Sequence, residues 1–216
     1  MSALKKYLSL ALLLIVIDQA IKIWIKTNLA LGESIEVFSW FQLQFTENAG
    51  MAFGMKLGGG GVGKILLTLF RVVAIGAIMW YMRHLYRQGA KPMAMWGFAM
   101  VLAGAIGNVI DSSIYGVLFD RGLHYEAEFG RWFGYSGVAE WGGSYAAPLM
   151  GSVVDMFYFP LWQGTLPQWI PFYGGEYFIF FRPIFNFADS CVTVGIVWLF
   201  LASRGPYGWL TKAPAS

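Results

Sequence analysis

The sequence predicts a membrane α-helical protein whose chain crosses the bilayer four times and forms a single domain. Hydrophobic residues make up 57% of the 216 residues and charged residues only 12%, whereas soluble domains carry about 25% charged residues. Four stretches are apolar over the roughly 20 residues that a helix needs to cross a bilayer. Aromatic residues reach 18%, and Trp and Tyr favour the membrane–water interfaces.

The first predicted span begins after two lysines, as a secretory signal peptide would. Asp18, Gln19 and Lys22 lie within it, however, and no A-x-A-like cleavage site follows the apolar run. We therefore expect a retained transmembrane helix. The predicted spans and the two long loops between them are, in chain order, 7–27, loop 28–62, 63–82, 92–117, loop 118–183 and 185–203.

Basic residues near the ends of the spans predict the orientation, because Lys and Arg accumulate on the cytoplasmic side. One side carries most of them, and the other receives the two long loops, whose charges are mainly acidic. Both termini are therefore predicted to be cytoplasmic and both long loops extracytoplasmic. The basic residues on the predicted cytoplasmic side are Lys5, Lys6, Arg83, Arg87, Lys91, Arg204 and Lys212.

The two long loops differ in their residue pattern. Residues 34–45 alternate in character and are rich in aromatic residues, which predicts short β-strands. The second loop is rich in Gly, Tyr, Trp and Phe and holds no apolar span. We expect it to form a partly ordered extracytoplasmic cap that touches the lipid surface.

Composition argues against several classes of site. A net charge of +3 without a dense basic tract argues against nucleic-acid binding, and the lone Cys191 excludes an intrachain disulfide. With His84 and His124 as the only histidines, neither a zinc site nor a Ser–His–Asp triad is expected. Residues 58–64 nearly match a phosphate-binding loop, but Ile65 stands where a Ser or Thr would hold magnesium. No cofactor or metal is predicted.

Five polar clusters lie in or beside the spans, where an ionisable group is costly and needs a partner or a function. Asp18 and Lys22 lie four residues apart on one helix face, in the favourable order for an ion pair. Gly104, Asn108 and Asp111 share another face, where small residues permit close packing and polar groups bond between helices. The other clusters are Glu47–Gly54, Gly151–Met156 and Phe185–Ser190.

Asp155 and Asp189 are expected to meet near the outer membrane surface. Asp155 follows the third span by a loop, and Asp189 begins the fourth span from the same side. Two neighbouring carboxylates share a proton, so one can act as general base on water and the other as general acid. Each aspartate alone is explained equally well as a solvated loop acid or, for Asp189, as part of a helix cap.

A transporter or channel subunit is the main alternative. It would use intramembrane acids such as Asp18, Asp111 and Asp189 for ions. Carriers often show inverted repeats, and we find no such internal symmetry in the sequence.

The five clusters, in this order, resemble the motif set of lipoprotein signal peptidase, or signal peptidase II. The resemblance implies an intramembrane aspartic endopeptidase that cleaves diacylglyceryl-modified bacterial prolipoproteins before the lipidated Cys. It implies Asp155 and Asp189 as the catalytic pair, and a small extracytoplasmic β-cradle formed partly by residues 38–53. Supporting or substrate-binding roles fall on Asp18, Lys22, Asn48, Gly50, Asn108, Asp111 and Asn186.

The resemblance also implies a location and partners. The enzyme is expected in the bacterial inner membrane, among membrane lipids, as a monomer with its active site on the periplasmic side and with globomycin-type inhibitors as ligands. Two departures from the family stand out. Ser112 occupies the position of a usual Arg, so that Arg121, Arg131 or Arg182 takes its part or Asp111 is held differently. Loops 112–152 and 156–184 are longer than expected.

Overall fold

The computed structural model describes residues 3–50, 60–205 and 208–211. Its helices are α1 (Ala3–Asn28), α2 (Gly60–Arg87), α3 (Pro92–Ile110), α4 (Gly116–Leu118) and α5 (Phe187–Ala202), with a π-helical turn at Asp111–Tyr115 between α3 and α4. Its strands are β1 (Ser34–Phe38), β2 (Phe41–Asn48), β3 (His124–Glu126), β4 (Arg131–Phe133), β5 (Val153–Tyr158), β6 (Trp162–Thr165), β7 (Tyr177–Phe180) and β8 (Ile184–Phe185).

Of the described helices, three are long and apolar enough to cross a membrane. They cover Leu4–Asn28, Gly61–Arg87 and Pro92–Leu118, close to the first three predicted spans. Helix α5 is apolar but has only 16 residues, fewer than the roughly 20 that usually cross the hydrocarbon core. The helix begins at Phe187, slightly after the predicted start of this span, because Phe185 belongs to β8 and Asn186 caps the helix. A fourth crossing stays a prediction.

Helices α3 and α5 approach each other closely through small residues. A Cβ atom at Gly104 would lie 2.2 Å from the carbonyl oxygen of Ala188, and one at Gly107 would lie 2.6 Å from Asp18 Oδ2. Glycine at 104 therefore lets the backbones of α3 and α5 touch, as small residues do in membrane bundles, and glycine at 107 leaves room for the Asp18 side chain of α1. This contact brings the first turn of α5 against the polar face of α3.

A four-stranded antiparallel sheet in the order β1-β2-β5-β8 lies at one end of the helices. The strands predicted for residues 34–45 are confirmed as β1 and β2, and β2 continues to Asn48. Thr46 pairs with Asp155 across β2 and β5, and Phe157 pairs with Phe185 across β5 and β8. Because β8 runs almost directly into α5, the sheet and the helix share one junction.

An apolar core joins this sheet to the helices. It contains buried residues from the end of α1, from β2 and β5, and from the π-helical turn, and it also takes in Ala139 of the second long loop. Its members are Ile25, Leu29, Phe45, Tyr115, Phe119, Ala139, Val154 and Met156. Within the described ranges, that loop also forms two separate hairpins, β3–β4 and β6–β7.

Candidate active site

Strand β5 carries Asp155 into the space between the sheet and the helices. Only 4% of Asp155 is exposed. Burial, followed by the negative charge of Asp189, raises the pKa of Asp155 to about 7, because both disfavour the ionised carboxylate. Near neutral pH, this side chain can therefore hold a proton.

Asp189 lies in the first turn of α5 and is held by two amide groups. The side chain of Asn108 donates to Asp189 Oδ1 at 2.8 Å, and the backbone N–H of Asn186 donates to Asp189 Oδ2 at 3.4 Å. The Asn186 side chain in turn accepts from Asp189 N at 2.9 Å, which completes a capping box. Asp189 thus has the helix-cap role that the sequence allowed. It also lies close enough to Asp155 for its charge to act on that carboxyl.

Asn186 joins the two acids. Its side-chain amide donates to Asp155 Oδ1 at 2.6 Å and to Asn108 Oδ1 at 3.1 Å, while its backbone N–H reaches Asp189. The residue is fully buried, so water does not compete for these bonds. The structure therefore brings Asp155 and Asp189, which lie on separate elements, to one asparagine.

Lys22 is the centre of a second polar cluster behind the two acids. Its Nζ lies 2.9 Å from Asp18 Oδ2, 2.8 Å from Asp111 Oδ2 and 2.9 Å from Asn108 Oδ1. The predicted contact between Asp18 and Lys22 is present, but Lys22 also bridges to α3. Asp18 Oδ1 accepts from the backbone N–H of Ala188 at 2.9 Å. One buried lysine thus links α1, α3 and the start of α5.

Asp111 is held without the arginine that the resemblance led us to expect at position 112. Besides Lys22, its partners are Gln19 Nε2 at 2.9 Å and the backbone N–H of Val154 at 3.3 Å. Ser112 is buried and its hydroxyl donates to the Asn108 carbonyl at 3.1 Å, so it supplies no charge.

The three arginines considered for that role lie elsewhere in the described structure. Arg121 pairs with Asp120 and donates to the Ser136 carbonyl, and Arg131 lies 4.6 Å from the Phe133 ring centroid. Arg182 lies at the wall of a cavity beside Asp155. Of the two options left open by the sequence, the second holds, since Lys22 provides the positive charge at Asp111.

Asn48 ends β2 and begins a tight turn through Gly50. Asn48 Oδ1 accepts from Gly50 N at 2.8 Å, and Gly50 has φ +85°, a conformation that favours glycine. Lys64 donates to the Ala49 carbonyl at 2.9 Å. This lysine of the phosphate-loop-like segment is therefore buried against the turn. Residues 51–54, which complete the predicted motif, lie outside the described ranges.

A buried ion pair that the sequence analysis missed lies next to this turn. Lys26 Nζ pairs with Glu47 Oε1, and Glu47 also accepts from Tyr135 Oη at 3.0 Å and from the backbone N–H of Leu123 at 2.6 Å. The Lys26 ammonium lies 5.1–5.3 Å from three aromatic ring centroids, those of Phe119, Tyr135 and Tyr145. The spacing of Lys22 and Lys26 on one face of α1 was the available signal.

A cavity of about 410 Å³ opens beside Asp155. Its walls come from the end of β2 and from both of the long inserted loops. The lining residues are Thr46, Glu47, Asn48, Ala49, Leu123, Trp132, Asp155, Arg182 and Ile184. Within the described ranges, no cluster of three or more His, Cys, Asp or Glu side chains is placed to hold a metal ion.

Comparison with solved structures shows the same fold in bacterial membrane enzymes. One such enzyme, solved by the in meso method at 1.9 Å resolution, aligns with a TM-score of 0.57 at 20% identity, covering 93% of each chain. A second, solved at 2.3 Å, aligns with a TM-score of 0.55 over 92% of this chain and 87% of that one.

Sequence comparison finds named relatives. The lipoprotein signal peptidase of Porphyromonas gingivalis is 46% identical over 192 residues, which cover 88% of this chain and 79% of that protein. The one from Amoebophilus asiaticus is 35% identical over 92% of this chain and 78% of its own length. These matches do not support the transporter alternative. The sequence pattern of the signal peptidase (SPase) II family matches residues 10–204, and the chain therefore belongs to that family of membrane proteases.

Proposed function

We propose that this chain is an aspartic endopeptidase that removes signal peptides from diacylglyceryl-modified prolipoproteins by cleaving before the lipidated Cys. The observation that carries the catalytic assignment is the convergence of Asp155 and Asp189 on Asn186. Family membership supports the substrate class.

The two acids divide the chemistry according to their surroundings. Asp155 holds the proton, since burial and the charge of Asp189 raise its pKa to about 7. Asp189 is less buried and acts as the base that takes a proton from water. The water oxygen then attacks the scissile carbonyl carbon while Asp155 protonates the carbonyl oxygen. Proton transfer to the leaving amine breaks the C–N bond, without a covalent enzyme intermediate.

The neighbouring polar residues hold this pair in place. Asn108 and Asn186 fix the orientation of both carboxylates by donating amide N–H groups. The cluster of Asp18, Lys22 and Asp111 ties α1 to α3 behind them. Asn48 and Gly50 shape the turn at the cavity wall, where an extended peptide passes Asp155. These roles are supporting ones, because the groups orient the reacting carboxylates.

The active site lies at the periplasmic side of the bacterial inner membrane in this proposal. The distribution of Lys and Arg supports cytoplasmic termini, and α5 serves as a short fourth span. The substrate enters laterally with its acyl chains in lipid. The enzyme acts as a monomer and binds globomycin-type inhibitors in the same cavity.

The test uses the full chain in detergent and a fluorescent diacylglyceryl lipopeptide. Cleavage before the lipidated Cys is expected, with inhibition by globomycin and no cleavage of the unlipidated peptide. Asp155→Asn and Asp189→Asn should each abolish cleavage while the protein stays in the membrane fraction. Glu128→Gln, at an exposed turn, is the matched acid-to-amide control. Retained activity in either aspartate variant removes that residue from the catalytic pair.

A further inference from the structure

The β6–β7 hairpin presents an unusually apolar surface. Backbone hydrogen bonds order its tip. Leu166 N–H donates to the Glu176 carbonyl and Gly175 N–H donates to the Leu166 carbonyl, at 2.9 Å each. Large apolar side chains nevertheless point outward along both strands and the tip. Exposed aromatic residues include Trp162, Trp169, Phe172, Tyr173, Tyr177 and Phe180. Single exposed hydrophobic residues are ordinary, but a contiguous apolar patch marks a surface that binds something.

Phe172 shows that the fold does not bury the aromatic rings at the tip of the hairpin. It is 97% exposed, and its φ of +69° lies in the left-handed region that is strained for a bulky residue. Trp169 beside it is 80% exposed. Among the described strands, β6 and β7 pair only with each other, and an isolated two-stranded hairpin is marginally stable in water. The hairpin therefore requires a partner surface.

Charge and position identify that partner as a lipid surface. The loop of residues 112–152, the first of the two longer-than-expected loops, is called the first insertion. Residues 159–181 contain one charged residue, Glu176, whereas residues 119–152 of the first insertion contain six. The hairpin is followed by Arg182 and Pro183 and then by β8, which leads into α5. Exposed apolar residues continue along α5, including Ile196, Val197 and Phe200. The apolar patch is thus joined along the chain to the lipid-facing surface of the bundle.

We propose that the tip of the β6–β7 hairpin inserts its aromatic side chains into the membrane–water interface on the extracytoplasmic side of the inner membrane. Trp169 and Phe172 would enter the acyl boundary, with Tyr173 and Tyr177 at the headgroup level, as amphipathic rings prefer. The hairpin then anchors β5, which carries Asp155, and β8, which leads into α5. The extracytoplasmic loop region thus sits at a fixed height above the bilayer.

Site-directed spin labelling of the full chain tests this placement. In a Cys191→Ala background, a nitroxide is attached at Phe172→Cys or Trp169→Cys, two positions where most of the native side chain is exposed. Glu128→Cys, in the turn of the charged β3–β4 hairpin, is the matched control. The protein is reconstituted into phosphatidylethanolamine–phosphatidylglycerol vesicles, and power saturation compares accessibility to oxygen with accessibility to a water-soluble nickel chelate.

Labels at 172 and 169 are expected to be more accessible to oxygen than to nickel, and the label at 128 should show the reverse. Nickel accessibility at 172 and 169 equal to that at 128 would overturn the proposal. Dipolar broadening between labels would identify a second copy as the partner instead. Protection that appears only after lipidated substrate is added would assign the surface to substrate. The readout does not depend on cleavage, so its failure is distinct from failure of the peptidase assignment.

Discussion

Asn186 donates its side-chain amide to Asp155 at 2.6 Å. The same residue is the N-cap of α5 and holds Asp189 within its capping box. The same residue, Asn186, therefore sets both the start of α5 and the relative position of Asp155 and Asp189. A change that frays the first turn of α5 should also separate the acids, so that local helix geometry and catalysis are linked.

The pH dependence of cleavage should report on Asp155. Because burial and the charge of Asp189 raise its pKa to about 7, the proposed general acid loses its proton as the pH rises through that value. The rate constant kcat/KM should therefore fall on the alkaline side with an apparent pKa near 7. Measurement across a range of buffers in one detergent checks this. A rate that stays constant well above neutral pH would contradict the role of Asp155 as the acid.

Asp155→Asn should stabilise the fold above neutral pH while abolishing cleavage. The folded-state pKa lies above the unfolded value of 3.8, so the folded protein binds more protons and loses stability as the pH rises from 3.8 to about 7. Asparagine removes this loss. The gain in Tm over the wild type should be larger at pH 8 than at pH 5, measured by thermal unfolding in detergent. An equal difference in Tm at the two pH values would show that Asp155 does not titrate between them.

The parts of the site that sequence predicts well are local. Asp18 and Lys22 are one helical turn apart, so their contact follows from helix geometry alone. The alternation of residues 34–45 likewise predicts β1 and β2, because side chains alternate across a strand. Both features are present.

The parts that sequence misses depend on contacts between distant segments. Glu47 meets Lys26 because the chain after α1 turns back as β1 and β2, and it meets Tyr135 because the first insertion folds onto β2. The π-helical turn at Asp111–Tyr115 has no residue signature that distinguishes it from α-helix. The apolar pattern of residues 185–203 also does not reveal that Phe185 pairs with Phe157 in the sheet. Tertiary pairing decides these elements.

Lys22→Met should strongly destabilise the protein. The substitution leaves Asp18 and Asp111 buried without their shared cation, and removing one partner of a buried ion pair typically costs about 3–5 kcal/mol. Lys5→Met, at an exposed position on the same helix, is the control and should change little. Chemical unfolding in detergent gives the comparison. Similar stability for the two variants would show that Lys22 is not required at Asp111.

Tyr135→Phe should test whether the first insertion positions the cavity wall. Burial and the charge of Glu47 raise the pKa of Tyr135, so the hydroxyl stays protonated and donates to Glu47. Its loss leaves a buried carboxylate short of one donor, at a cost of about 1–3 kcal/mol. Because Glu47 neighbours Asn48 at the cavity, KM should rise more than kcat falls. Tyr125→Phe is the control. Equal kinetics in both variants would show that the hydrogen bond from Tyr135 to Glu47 does not affect the cavity wall.

Gly104→Ala should separate α3 from α5 and displace Asp189 of the proposed catalytic pair. The added methyl would lie 2.2 Å from the Ala188 carbonyl oxygen, a backbone atom that can yield only if α5 moves. Overpacking of this kind costs about 1–3 kcal/mol, and Ala188 immediately precedes Asp189. Gly76→Ala, where the new methyl would meet no atom within 4 Å, should be neutral or slightly stabilising because alanine favours helix. Both Tm and kcat should fall for Gly104→Ala alone. If activity persists at a lowered Tm, the α3–α5 contact supports the fold without setting the position of Asp189.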